Sequence, residues 1–235
     1  MKEVVILIPF KNINNDRLNN LFYVIEYYSF YIPQAKILII EQNTTTDFSN
    51  FKVQHHLSVL EETLFCRGFL FNEGYNLLPS KYYIMADGDC LPDPEILQNF
   101  SKLYPKLEDT YIIPHSIVKY LSPISTDLVL GTRQLGGFED LEIIGQHRTV
   151  GGVTFIKGSN FHKMEGYGHK FVGWGGEDDD LYNRCYVSGV VKTERLPNEM
   201  YHLYHPSSVH HGVPVEEVIK KRENMPIKNL INHEY

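Results

Sequence analysis

Three short segments of this sequence carry side chains suited to chemistry. Asp87-Gly88-Asp89 sets two carboxylates on a tight turn, with Gly88 allowing close backbone approach. Such a pair can hold a hard divalent cation, and the cation can neutralise a diphosphate. The same turn also reads as the polar end of a strand, where Asp and Gly are common. His202-Leu203-Tyr204-His205 places two imidazoles three residues apart. They converge on one metal if the segment turns, and with an Asp oxygen the mixed N/O set suits Mn²⁺ better than Ca²⁺. Against this stand the chain's 11 histidines, paired again at His55-His56 and His210-His211, which make an ordinary structural role the competing reading.

The third segment is Gly173-Trp174-Gly175-Gly176-Glu177-Asp178-Asp179-Asp180. Its glycines free the backbone to pass close to a ligand. Trp174 offers an apolar face to the C–H side of a sugar ring. Acids opening a helix complement its dipole and its free N–H groups. Four in a row exceed what capping needs, and their mutual repulsion marks a functional site. A carboxylate there can deprotonate an acceptor hydroxyl. Smaller signals lie nearby in type: Phe65 and Arg67 can stack on and neutralise a nucleotide, Lys11 and Asn12 can meet phosphate or base, and Gly151-Gly152 can line a sugar pocket.

These segments need elements to hold them. Val4–Ile8 is an apolar run ending at Pro9, the pattern of a buried parallel strand. Asp16 to about Ser29 has helical periodicity through Leu18, Leu21, Phe22, Ile25 and Tyr28. Lys36–Glu41, carrying Ile37-Leu38-Ile39-Ile40, reads as a second buried strand, Glu62 to about Leu78 as a helix, and Lys81–Ala86 as a third strand running directly into Asp87. Pro94 and Glu95 open another helix. This β-α-β-α-β order predicts an α/β fold with a mostly parallel, doubly wound sheet. Ligands sit beyond the carboxyl ends of such strands, where Pro9-Phe10-Lys11-Asn12 and Asp87-Gly88-Asp89 both fall. Residues 117–150 read as loop-rich, Gly151–Ile156 as a strand, Ser159 as the cap of a short helix, Glu177 to about Val187 as a helix, and Val190–Arg195 as a strand.

Composition narrows the classes. With 235 residues and 43% hydrophobic content, one globular domain is expected over 1–235: a nucleotide-binding half (1–100), an acceptor and metal half (101–213) and a C-terminal tail helix (214–235). A net charge of −7 argues against a nucleic-acid partner. Cys66, Cys90 and Cys185 have neither disulfide-framework nor zinc-site spacing, which fits a reducing compartment. No segment reads as a signal peptide or transmembrane span, so a soluble or cytoplasmic protein is expected.

The blocks Val5–Asn12, Phe65-Cys66-Arg67 through Tyr75, Asp87-Gly88-Asp89, Gly151-Gly152-Val153 and Gly173–Asp180 occur in an order that resembles the β1,4-galactosyltransferases and the chondroitin-polymerase-like glycosyltransferases. The resemblance implies a single GT-A-type domain with a Rossmann-like central sheet flanked by helices. It also implies transfer of a sugar from a UDP-sugar to a glycan hydroxyl, with inversion and a metal, Mn²⁺ or Mg²⁺. By this resemblance Pro9, Phe10, Phe65 and Arg67 border the uridine and diphosphate, and Asp87 lies near ribose and metal. Asp89 binds the metal, with the family's histidine in the His202–His205 segment, and Gly152 sits by the donor sugar. Trp174, Gly175, Glu177 and Asp179 hold the acceptor, and Asp178 is the general base. Gly88, Lys11 and Val172 depart from the family's usual residues, a bulkier middle residue, an arginine and an aromatic. Two rival classes remain. A nucleotide-sugar pyrophosphorylase or nucleotidyltransferase usually carries a Gly-rich first loop, which Pro9-Phe10-Lys11-Asn12 lacks. The other is a non-catalytic carbohydrate-binding protein on the same fold.

Overall fold

The computed structural model describes residues 3–169, 171–173 and 175–206. Trp174 and the tail helix expected over 214–235 lie outside the described residues. The chain runs β1 (Val4–Phe10), α1 (Asn15–Tyr31), β2 (Lys36–Gln42), β3 (Gln54–Ser58), α2 (Arg67–Leu77), β4 (Tyr82–Ala86), β5 (Cys90–Pro92), α3 (Pro94–Gln98), α4 (Tyr104–Leu107) and β6 (Thr110–Ile113). It continues through β7 (Ile117–Leu121), α5 (Pro123–Thr132), β8 (Ile143–His147), β9 (Val153–Lys157), α6 (Gly158–Lys163), α7 (Glu177–Ser188), β10 (Lys192–Arg195) and β11 (Glu199–His202).

A 7-stranded sheet has the order β10-β6-β9-β4-β1-β2-β3. All its pairings are parallel except those of β9, which runs against both neighbours. The α/β fold and its mostly parallel sheet are therefore as the sequence predicts. The strand β1 is apolar throughout because both its faces are covered. Val4, Ile6, Ile8 and Phe10 pack into one core with Leu21, Val24, Ile25 and Tyr28 of α1. Val5 and Leu7 pack into a second core with Leu70 and Phe71 of α2 and Leu181 of α7. A smaller, 4-stranded sheet, β5-β11-β7-β8, lies alongside.

Several boundaries differ from the sequence reading. The segment 117–150 is not mainly loop, since it contributes β7, α5 and β8 to and around the second sheet. The helix expected from Glu62 starts at Arg67 because the Gln42 side chain holds the preceding stretch open. Its Nε2 donates to the Glu62 and Leu64 carbonyls at 2.9 and 2.7 Å, and its Oε1 accepts from the Cys66 N–H at 2.8 Å. The short helix α6 starts at Gly158 with no side-chain cap, so Ser159 is inside it. No helix among the described residues is long and apolar enough to cross a membrane.

Candidate active site

The strand β4 ends at Ala86, so Asp87 emerges at the carboxyl edge of the main sheet. Its N–H donates to the Gly152 carbonyl at 2.8 Å, which fixes the start of the Asp-Gly-Asp turn. The turn then enters β5, which pairs antiparallel with β11, placing His202 opposite Cys90. This pairing is how a histidine more than a hundred positions away reaches Asp89. One residue later the Leu203 N–H donates to the Asp89 carbonyl at 2.8 Å. The segment beyond β11 is tied down on both sides: Tyr204 N–H to Thr126 Oγ1 at 2.8 Å, and the buried Asn20 to the Tyr204 carbonyl at 3.0 Å. Thus α1 and α5 hold the histidine segment against the turn.

The result is a compact donor set. His202 Nε2 is 3.5 Å from Asp89 Oδ1, and His205 Nε2 is 3.2 Å from Asp89 Oδ2. One ligand atom from each of Asp89, His202 and His205 lies within 4.8 Å of the others. Atoms so close are a fit for a single cation bound at about 2.1–2.2 Å. Electrostatics supports the fit. Burial works against the Asp89 charge, yet His202, His205 and Arg17 hold its carboxyl well below the usual carboxylate range. Burial lowers His202, favouring the neutral imidazole that a metal needs. Burial also acts to lower His205, but the hydrogen bond to Asp89 and the Asp89 charge together outweigh it and the ring is raised. The buried Nδ1 of His202 has no hydrogen-bond partner.

A second knot of charge adjoins the first. Arg67, at the first position of α2, is almost fully buried and meets three carboxylates. Its Nε donates to Asp87, and its Nη1 lies 2.8 Å from both Asp178 oxygens and 3.3 Å from Glu177 Oε1. The acids come from the first turn of α7, where Glu177, Asp178, Asp179 and Asp180 follow one another. Crowding has the expected cost. Burial pushes Asp87 up to about 6 against the pull of Arg67, with Asp89 and Asp178 adding to the rise. Burial and then the Asp178 charge push Glu177 up to about 7. The same two causes raise Asp179 to about 6.

Both knots border one cavity of about 790 Å³. Pro9, Phe10, Lys11, Phe65, Arg67, Asp87, Gly88, Asp89, Glu177, His202 and His205, all singled out in the sequence, line it. Five other candidates, Asn12, Gly152, Gly175, Asp178 and Asp179, stand apart from that lining. Asn12 is occupied by the loop after β2, with its N–H on Thr44 Oγ1 at 3.1 Å and its side-chain amide on Thr46 Oγ1 at 3.2 Å. Gly152 lies under the turn, in a left-handed conformation (φ +90°), where a Cβ would come within 2.4 Å of Met200 Cε. The Gly175 N–H donates to Glu177 Oε2 at 3.1 Å, shaping the entry to α7. Asp178 sits behind Arg67. Lys11 reaches the Thr63 carbonyl.

Sequence reasoning missed Arg17, Tyr120, His147 and Tyr167. Arg17, on α1, lines the cavity with its Nη1 3.7 Å from Asp89, and its buried Nε has no partner. Its only advance signal was a cation in the first turn of the helix that follows Lys11. Tyr120 and His147 enter from β7 and β8, the strands not foreseen. Tyr167 donates its hydroxyl to Asp178 at 3.1 Å.

The fold is that of GT-A glycosyltransferases. Two solved structures with likeness over nearly the whole chain are a Drosophila β1,4-galactosyltransferase 7 mutant in complex with manganese, UDP-Gal and xylobiose, and glucosyl-3-phosphoglycerate synthase from Mycobacterium tuberculosis with Mn²⁺, UDP and phosphoglyceric acid. The first has a TM-score of 0.60 at 18% identity, covering 97% of this chain and 84% of that one. The second has a TM-score of 0.56 at 12% identity, covering 96% and 80%. Residues 137–207 match the family model described as the N-terminal domain of galactosyltransferase. β-1,4-Galactosyltransferase 6 of Rattus norvegicus is 51% identical over 43 residues, which are 18% of this chain and 11% of that protein. β-1,4-Galactosyltransferase 2 of Cricetulus griseus is 40% identical over 40 residues, 17% of this chain and 11% of that protein. Through this stretch the chain is similar to the β1,4-galactosyltransferases, while it spans only about a tenth of the length of those curated relatives.

Proposed function

We propose that this protein is a metal-dependent, inverting glycosyltransferase that moves a hexose or N-acetylhexosamine, galactose-type in the first instance, from a UDP-sugar to a hydroxyl of a glycan acceptor. The observation that carries this reading is that the Asp89–His202–His205 donor set and Arg67 line one cavity, with Asp178 held directly behind Arg67. This arrangement supports a leaving-group site with a carboxylate base next to it, at the strand ends where such folds take ligands.

In this reading Pro9, Phe10 and Phe65 flank the nucleotide base, while Arg67 and Arg17 face the diphosphate. A divalent cation on Asp89, His202 and His205, Mn²⁺ by the donor chemistry, would supply positive charge against the departing diphosphate. The site carries more carboxylates than fixed cations, so a bound divalent cation would relieve the crowding on Asp87. Glu177 and Asp179, with Trp174 and Gly175 before them, receive the acceptor. Asp178 accepts the proton of the acceptor hydroxyl as its oxygen attacks the anomeric carbon opposite the diphosphate, and one displacement inverts that centre.

The test is transfer itself. The protein is incubated with Mn²⁺, each of UDP-galactose, UDP-N-acetylgalactosamine, UDP-glucose and UDP-N-acetylglucosamine, and acceptors including xylobiose and N-acetylglucosaminides. UDP release and product mass are then followed. Transfer with inversion is expected, and Asp178→Asn is expected to lower turnover by about 10²–10⁴-fold, the usual contribution of a general base, with UDP binding intact. Full turnover by the Asn variant removes Asp178 from this role. Absence of transfer, with UTP and sugar 1-phosphate formed when pyrophosphate is added to the UDP-sugar, points to a nucleotidyltransferase.

A further inference from the structure

We propose that Tyr167 is a positioning residue for Asp178: its hydroxyl anchors Oδ1 and leaves Oδ2, in the space beside Gly151, as the oxygen that takes the acceptor proton. This rests on the transferase reading above.

Tyr167 is fully buried and fastened from two directions. From α2, the Asn72 side chain clasps its backbone at both ends: Oδ1 accepts from the Tyr167 N–H and Nδ2 donates to the Tyr167 carbonyl, each at 2.9 Å. From α7, Arg184 donates to the carbonyls of Met164 and Gly166, which form the turn just before Tyr167. That turn passes through two left-handed residues, Glu165 (φ 59°) and Gly166 (φ 69°), so it has a single shape to be held in. Arg184 is itself ion-paired to Asp180 at 2.8 Å, two residues from Asp178 on the same helix. The tyrosine ring stacks on Phe71 (5.2 Å, 17°) and meets Phe161 at 60°. Phenylalanine would satisfy every one of these apolar contacts.

The hydroxyl therefore calls for its own account. Burial and the nearby Asp178 charge raise it well above its ordinary value, so it stays protonated and donates to Oδ1 at 3.1 Å. On the other side of the carboxylate, a Cβ at Gly151 would fall 2.2 Å from Oδ2. One oxygen is thus anchored by the tyrosine, and the other lies against the Gly151 backbone in space that only glycine leaves. Arg67 contacts both oxygens, but it also serves Asp87 and Glu177 and faces the diphosphate, so its hold on Asp178 changes as ligands arrive. Tyr167 contacts Asp178 from within the core and keeps its position through that exchange.

The experiment compares wild type, Tyr167→Phe, Asp178→Asn and the double variant, with UDP-galactose as donor, xylobiose as acceptor and Mn²⁺ present. UDP affinity is measured separately. Tyr167→Phe is expected to lower kcat by about 10- to 100-fold, the span of one hydrogen bond to a charged group, with donor KM and UDP affinity unmoved. The double variant is expected to be no slower than Asp178→Asn, because the hydroxyl acts only through that carboxylate. Wild-type turnover by Tyr167→Phe overturns the proposal while leaving the transferase reading standing. Loss of UDP affinity in Tyr167→Phe, or additive losses in the double variant, shows a merely structural tyrosine and overturns it too. Unchanged turnover in Asp178→Asn sinks the assignment of the base, and the proposal falls with it.

Discussion

Replacing Arg67 with Met is the sharpest probe of the site's electrostatics. The guanidinium is almost fully buried and faces Asp87, Glu177 and Asp178, with contacts of 2.8 Å to both Asp178 oxygens and 3.3 Å to Glu177. Methionine conserves much of the apolar stem against Phe71, over whose ring the guanidinium sits at 4.8 Å. What it removes is the counter-charge. Removing one partner of a buried ion pair costs about 3–5 kcal/mol, a large part of the roughly 5–15 kcal/mol that stabilises a typical fold. For a chain of this size each kcal/mol moves Tm by about 2–4 °C, so a fall of roughly 6–20 °C is expected at pH 8. The loss has a characteristic pH dependence. Glu177, already raised to about 7, takes a proton as the pH is lowered, so the deficit against wild type shrinks by pH 5. Thermal melts followed by circular dichroism at the two pH values read both effects. A variant melting within about 2 °C of wild type at pH 8 refutes the idea that Arg67 is the charge hub.

Two further outcomes follow from the same geometry. The Glu177 carboxyl is raised by folding, from an ordinary value of 4.5 to about 7, so the folded state holds its proton more tightly than the unfolded chain. Its contribution is intact below the unfolded value and is lost as pH rises towards the folded one; Glu177→Gln should flatten the decline of Tm between about pH 4.5 and 7, and an unchanged pH profile counts against that burial. Gly151→Ala puts a Cβ 2.2 Å from Asp178 Oδ2 and must displace the carboxylate. Misplacing a reacting group by about 1 Å costs on the order of 10²-fold, so steady-state turnover should fall by about that much while UDP affinity holds; equal loss of both contradicts a local effect.

The sequence made the nucleotide half legible because its elements are buried on both faces or along one regular stripe. β1, β2 and β4 appear as continuous apolar runs, and α1 as a clean helical period. The acidic start of α7 was equally plain. The second sheet was not. β5 has three residues, β8 alternates half-buried with exposed positions around Gly145, and α5 exposes Ile124 and Leu128. The two strands are too short to stand out and are stabilised by pairing with other strands, and the exposed apolar residues of α5 blur its stripe. β3, an edge strand reading Gln-His-His-Leu-Ser, was missed for the same reason. Candidate residues followed the same division. Motif residues such as Asp87, Asp89 and Arg67 could be named in advance, whereas Arg17 and Tyr167 gain their places through tertiary contacts to Asp89 and Asp178.

In the proposed function, Asp89, His202 and His205 hold a divalent cation against which a uridine diphosphate docks. Calorimetric titration of UDP into the protein, with Mn²⁺ and then with EDTA, alongside Asp89→Asn, tests this directly. Saturable binding with Mn²⁺, abolished by EDTA and by the Asn variant, is the expected result. UDP binding of equal strength in all three conditions, or none in any, contradicts it.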